Sequence, residues 1–276
     1  MPELPEVEVI LKGISPHFVN HTLTDFGWSG KKLRLPLPTK KLQDTLLGAQ
    51  VVRAYRRAKY MVFVLNNGHS LVIHLGMTGN LGIFSPTIPR AKHDHFWCTL
   101  DNNTQLRYND TRRFGSIQIV ETDDENVLER TLFAKLGPEP FWNTFSAAYL
   151  FKKAKNKSIS VKTFIMTGEV VVGIGNIYAN ESLFRANISP KRSAKSLRRK
   201  DWQVLADTTR EVLLHAIDCG GSTISDFVDA SGQSGYFQMN FKVYGKKGEP
   251  CPKCQTPLIA EKINGRASFF CSFCQK

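Results

Sequence analysis

The chain has 276 residues, 42% of them hydrophobic, and carries 37 Lys and Arg against 24 Asp and Glu, a formal charge of +13. A basic surplus of that size favours a polyanionic partner, nucleic acid ahead of an anionic membrane surface. No apolar run approaches the roughly 20 residues that span a bilayer, and the first residues lack the basic-then-apolar order of a secretory signal, so a soluble, intracellular protein is expected.

The opening "MPELPEVEVI" places Leu4, Val7, Leu11 and Ile14 at helical spacing. Pro5 suits a first helical turn, and Glu3, Glu6 and Glu8 complement the positive end of the dipole. If Met1 is removed, Pro2 becomes a secondary amine, and a free α-amino group titrates near ~8 rather than near a lysine's ~10.4. Such a group is a usable nucleophile at neutral pH, with Glu3 beside it as a proton-transfer partner.

Residues from about 50 to 120 are strand-like. "MVFVL" and "SLVIHL" flank "NNGH", "HFWCTL" and "QLRYN" flank "DNNT", and "SIQIV" alternates. These segments predict an antiparallel β-sandwich or flattened barrel with the N-terminal helix packed on it. "KLGPEPFW", residues 135 to 142, reads as a linker. Beyond it "FSAAYLFKKAK" is helical, "VVVGIGNIYANESLF" is a glycine-punctuated turn opening into a helix, and "DWQVLADTTREVLLHAID" predicts a helix starting at an N-cap Asp and stopping at "CGG". The expected division is 1–134 for the sandwich, 135–148 for the linker, 149–240 for the helical domain and 241–276 for a small C-terminal unit.

Four of the six cysteines form two close pairs, "CPKC" (Cys251, Cys254) and "CSFC" (Cys271, Cys274), while Cys98 and Cys219 stand alone. Two such pairs can supply four thiolates to one tetrahedral Zn²⁺, and a closed thiolate shell leaves no position for water, which makes the metal structural. Between the pairs, Asn264-Gly265 is a hairpin turn signal that puts Arg266 at the tip of a zinc-stapled hairpin. "GIGNIYANE" offers backbone N–H groups and Asn176 to a phosphate. "NDTRRFGS" sets Arg112, Arg113 and Phe114 together after a strand, a wedge suited to filling a gap in a base stack. "HLGMTG" puts Met77 on a glycine-flanked loop, and Lys59 in "RRAKY" with Lys92, His93 and His95 in "AKHDH" suit phosphate contacts.

"PELPEVE", "HLGMTG", "KHDH", "RRFG", "GIGNIYANE" and the four-cysteine finger occur in order from end to end. Together they resemble formamidopyrimidine-DNA glycosylase, the bacterial base-excision enzyme for oxidised purines. The resemblance implies an α+β fold of two domains: an N-terminal β-sandwich carrying the first helix, then a helix–two-turns–helix domain ending in a zinc finger with one structural Zn²⁺. It implies that Pro2 attacks C1′ of the damaged nucleotide and that Glu3 is the main acid–base residue, with Glu6 in support. Lys59 would donate a proton in β-elimination, and Arg266 would serve the later elimination and phosphate binding. His93, Arg112, Lys157 and Asn176 fall on DNA-contact positions with His74 near them. Met77, Arg112 and Phe114 match the trio that fills the space left by a flipped nucleotide, with Arg112 facing the orphaned cytosine. The implied partner is double-stranded DNA bearing oxidised purines or abasic sites, bound by a monomer in the bacterial cytoplasm, with no membrane involved.

Three positions depart from the family pattern: Thr111 and Ser234 stand where proline is usual, and Thr167 falls in "MTGEVVVG", which differs from the common acidic version. The related endonuclease VIII type opens Pro-Glu-Gly-Pro and generally lacks the filling trio, so Leu4 and Phe114 argue against it. A zinc-finger protein that senses lesions without cutting is the other reading, and it becomes real if Met1 stays attached, because the Pro2 nitrogen is then an amide.

Overall fold

Helix α1 (Leu4–Phe18) begins where the period of its apolar face begins, with a proline in its first turn. It buries Leu4, Val7, Ile10, Leu11, Ile14 and Phe18, each such side chain contributing about 2 kcal/mol. The computed structural model describes residues 1–221 and 241–276. Two compact units emerge, one built on Met1–Ala134, the other on Lys135–Cys219 and the C-terminal segment.

In the first unit α1 is followed by β1 (Leu23–Trp28), α2 (Thr39–Leu46), β2 (Val51–Arg57), β3 (Tyr60–Leu65), β4 (Ser70–His74), β5 (Gly79–Phe84), β6 (Asp94–Leu100), β7 (Gln105–Asp110), β8 (Ser116–Val120) and α3 (Glu125–Arg130). The strands form two four-stranded antiparallel sheets among the described residues, ordered β1-β6-β7-β5 and β2-β3-β4-β8. Phe63, Leu71 and Ile73 from one sheet share a core with Leu81, Phe96 and Leu106 from the other. Phe18 of α1 meets Phe63 edge-on, ring centroids 5.0 Å apart. This is the expected sandwich with its helix. The "NNGH" and "DNNT" turns join β3 to β4 and β6 to β7, with Gly68 and Asn103 in the left-handed region. Strand β1 lies outside the stretch that read as β, because its partner β6 is more than 60 residues away and its six residues carry little alternation.

The second unit contains α4 (Ala147–Ala154), α5 (Val161–Ile165), α6 (Asn176–Arg185), α7 (Arg199–Asp218), β9 (Ile259–Ile263) and β10 (Arg266–Phe270). Ser146 and Ser160 cap α4 and α5 by accepting from the N–H groups of Tyr149 and Thr163. Tyr178, Leu183, Trp202, Leu205 and Leu213 form its core. Helix α7 starts two residues before the Asp that the sequence offered as its cap. Asp201 instead sits in the first turn, and its carboxylate takes the N–H of Arg198 at 3.0 Å, the reciprocal half of a capping box. The C-terminal hairpin β9–β10 is the one predicted around Asn264-Gly265. No helix among the described residues is long and apolar enough to cross a membrane. Ser234 lies outside the described residues.

Candidate active site and metal centre

Pro2 precedes the helix directly and is partly exposed, while Met1 is 50% exposed. Glu3 is the N-cap, and its N–H donates to Glu6 Oε2 at 2.8 Å. Both carboxyl groups are buried behind Pro2. A helix N-terminus stabilises negative charge, so two acids can be kept here at modest cost. One turn on, Glu8 accepts from Arg56 Nε at 2.8 Å, and Arg56 also donates to the Ala58 carbonyl at 2.9 Å. These bonds tie α1 to the two-residue turn between β2 and β3 that carries Lys59. Ala58 holds φ +54° there, a left-handed conformation that a non-glycine residue keeps only when its surroundings over-determine it.

His74 ends β4, packed 4.8 Å from the Tyr60 ring. Its Nδ1 accepts the Gly76 N–H at 3.0 Å, which leaves the proton of the neutral ring on Nε2. Burial, reinforced by the charges of Lys59 and Arg34, pulls its pKa down to about 4. Lys59 and His74 are therefore electrostatic neighbours, and at neutral pH the imidazole is uncharged. His93 is half-buried beside His95, ring centroids 6.1 Å apart, and Ser29 Oγ pairs with His95 Nδ1 at 2.8 Å.

The loop carrying Met77 and the loop carrying Arg112 and Phe114 meet. A Cβ on Gly76 would lie 2.4 Å from the Gly115 nitrogen, so the absent side chain is what allows the approach. Phe114 is 44% exposed, with the Arg112 guanidinium 4.7 Å from its ring centre. A large exposed aromatic under a cation is poorly accounted for by packing alone. Thr111 is exposed at the start of this loop.

In the second unit Asn176 is the first residue of α6 and its buried Oδ1 finds no hydrogen-bond partner among the described residues. Its carbonyl accepts from Asn180 Nδ2 at 2.6 Å, and Asn180 Oδ1 accepts the Phe269 N–H at 2.8 Å. Arg266, exposed, opens β10 after Asn264 (φ +48°) and Gly265 (φ +74°), the sign pattern of a tight hairpin turn. A cavity of about 210 Å³ is lined by Arg266, Asn264, Lys162, Thr163 and Thr167. Lys157 is exposed, and its carbonyl takes the Lys195 N–H at 3.0 Å. Thr167 closes its own turn, with Oγ1 donating to the Thr163 carbonyl at 3.0 Å.

The Sγ atoms of Cys251, Cys254, Cys271 and Cys274 all lie within 4.8 Å of one another. Cys251 and Cys274 are 3.9 Å apart, Cys254 and Cys271 3.5 Å. Thiolates about 2.3 Å from one tetrahedral ion would stand about 3.8 Å apart, so the set fits a zinc-sized cation. Backbone N–H groups of Lys253 and Cys274 point at Cys251 and Cys271 sulfurs, each at 3.4 Å. Burial and then the neighbouring thiols push Cys274 up to about 12, while hydrogen bonding with Thr256 draws Cys254 down to about 6, so the four thiols ionise unequally without a cation among them. These four cysteines can bind a metal ion.

Motif reading passed over Asp110, Lys162 and Asn180. Each is a polar residue in or beside a motif, and only its partners, distant in sequence, give it significance.

Residues 1–117 match the family model of the formamidopyrimidine-DNA glycosylase N-terminal domain, and residues 136–228 match its H2TH domain. A formamidopyrimidine-DNA glycosylase of Photobacterium profundum is 47% identical over 277 residues, with both chains fully covered. Among solved structures, the Lactococcus lactis protein in complex with N7-benzyl-Fapy-dG containing DNA superposes with a TM-score of 0.90 at 32% identity, covering all of both chains. The same protein with abasic-site DNA gives 0.91 at 31% identity over 99% of each chain. With the motifs placed as described and the likeness running from end to end, this chain belongs to the formamidopyrimidine-DNA glycosylase family.

Proposed function

We propose that this enzyme, a base-excision DNA glycosylase and AP lyase acting on lesion-bearing duplex DNA, uses Pro2 as its nucleophile once Met1 is removed. The observation that carries the assignment is the start of α1: a partly exposed proline directly before two buried carboxyl groups, Glu3 and Glu6. The Pro2 nitrogen attacks C1′, the bond to the oxidised purine breaks, and the base leaves with a proton. Opening of the sugar, with Glu3 supplying a proton to its ring oxygen, gives a cationic iminium. That cation acidifies C2′, and proton loss there expels the 3′-phosphate; a second elimination expels the 5′-phosphate. Glu6 holds the Glu3 backbone, Lys59 donates a proton in the first elimination, and Arg266 serves the second.

His74, His93, Lys157 and Asn176 contact the DNA backbone in this reading, and Met77, Arg112 and Phe114 fill the gap opposite the orphaned base. The Cys251, Cys254, Cys271 and Cys274 thiolates would hold one Zn²⁺, which supplies no reactive position and fixes the hairpin bearing Arg266. The domain division follows the same reading: sandwich to residue 134, linker 135–148, helix–two-turns–helix region 149–240 and finger 241–276. Work in the bacterial cytoplasm, at the nucleoid, by a single chain belongs to the same reading.

Borohydride trapping on a duplex carrying 8-oxoguanine opposite cytosine tests the assignment, with intact mass measured in parallel. A covalent complex mapped to Pro2 on protein lacking Met1 is expected. Good binding without a complex, on protein lacking Met1, would favour a sensor that does not cut.

A further inference from the structure

We infer that Asp110 is a positioning residue that locks the Met77 loop to the Arg112–Phe114 loop, so that the three side chains act as one rigid wedge. The inference rests on the gap-filling role proposed above for those three residues. Asp110 ends β7 at 0% exposure. Its Oδ2 accepts the Tyr108 hydroxyl at 2.9 Å and the Gly115 N–H at 2.9 Å. Its Oδ1 accepts the Thr78 hydroxyl at 2.6 Å. Thr78 Oγ1 in turn accepts the Arg112 N–H at 3.0 Å. The Asp110 carbonyl takes the Arg113 N–H at 3.2 Å, and its own N–H donates to the His93 carbonyl at 3.0 Å. One carboxylate thus holds the residue after Met77, the residue after Phe114 and, through Thr78, the backbone of Arg112.

The surroundings allow no slack. A Cβ on Gly115 would lie 1.7 Å from the Tyr108 hydroxyl and 2.6 Å from the His74 carbonyl. One on Gly79 would lie 2.1 Å from the Leu75 carbonyl and 2.7 Å from the same hydroxyl. Three donors converge on Asp110, so an acceptor-only side chain is needed. An asparagine has one acceptor oxygen and an amide donor, and it cannot accept from all three. A buried carboxylate is costly, and keeping one at the junction of two exposed loops fits a demand for fixed geometry.

The test uses Asp110→Asn and, as a milder variant that keeps side-chain shape, Thr78→Val, each checked for folding by circular dichroism and zinc content. Single-turnover excision of 8-oxoguanine opposite cytosine and opposite adenine reads the wedge. Borohydride trapping at a preformed abasic site in a single strand reads the nucleophile where no orphaned base exists. The cytosine preference is expected to shrink about tenfold in Asp110→Asn, the equivalent of one charged hydrogen bond, and less in Thr78→Val, with trapping within about twofold of the parent. A folded Asp110→Asn that keeps the full preference overturns the inference. So does a Thr78→Val with unchanged preference if Asp110→Asn fails to fold. Equal losses in excision and trapping also overturn it, because they mark a general structural role. A parent protein that neither excises nor traps would instead refute the function proposed above.

Discussion

The Lys162 ammonium, buried to 1% exposure, donates to Ser268 Oγ at 2.6 Å and to the Ala267 carbonyl at 2.8 Å, and Ser268 Oγ donates on to the Arg266 carbonyl at 3.2 Å. A helix residue thereby grips the strand that presents Arg266. Lys162→Met keeps the volume but strands the buried Ser268 Oγ and takes a donor from the Ala267 carbonyl. It should cost about 2 kcal/mol of stability in denaturant titration, with zinc content unchanged. Unaltered stability would show that the grip is not used.

Pro2→Gly keeps an amine and makes it primary. Cleaved product on 8-oxoguanine DNA should fall at least about tenfold, while affinity for the same duplex stays within a few-fold, since no phosphate contact is lost. Full cleavage by this variant would remove Pro2 from the assigned role.

Arg266→Ala should weaken DNA binding and lower the slope of log affinity against log salt by about one, leaving one zinc per chain. Cys274→Ser should lose the metal. The hairpin packs through Phe269 against a small cluster containing Cys251, Cys271, Val243 and Leu258, and its order should go with the metal. Metal loss in Arg266→Ala would mean that the arginine is structural.

His74 titrates at about 4 in the fold and at 6.5 when exposed, so between those values the unfolded chain binds the extra proton. Its contribution to stability is intact above pH 6.5 and is lost as pH falls toward 4, at up to about 1.4 kcal/mol per pH unit. Denaturant midpoints across that range should fall more steeply for the parent than for His74→Gln. Parallel slopes would show that His74 is not the group responsible.

Local signals were enough for much of this molecule. Leu4, Val7, Leu11 and Ile14 declare α1 by period, "NNGH", "DNNT" and Asn264-Gly265 declare hairpins by turn chemistry, and the cysteine pairs declare a metal site by spacing. Each of these rests on residues a few positions apart, where backbone preference and side-chain geometry act without help from the rest of the chain. The motif order from Pro2 to Cys274 likewise belongs to the sequence, and it was enough to point to the family.

Tertiary structure decided what depends on partners far along the chain. β1 exists because β6 pairs with it, and α7 starts at Arg199 because Asp201 caps backward onto Arg198. Lys162 means nothing until Ser268 arrives 106 residues later, and Asp110 reads as one more polar letter until Thr78 and Gly115 close on it. Burial is the physical reason: a lysine or a carboxylate costs little in water and demands specific partners once desolvated, and only the folded chain settles which residues are desolvated and what they face.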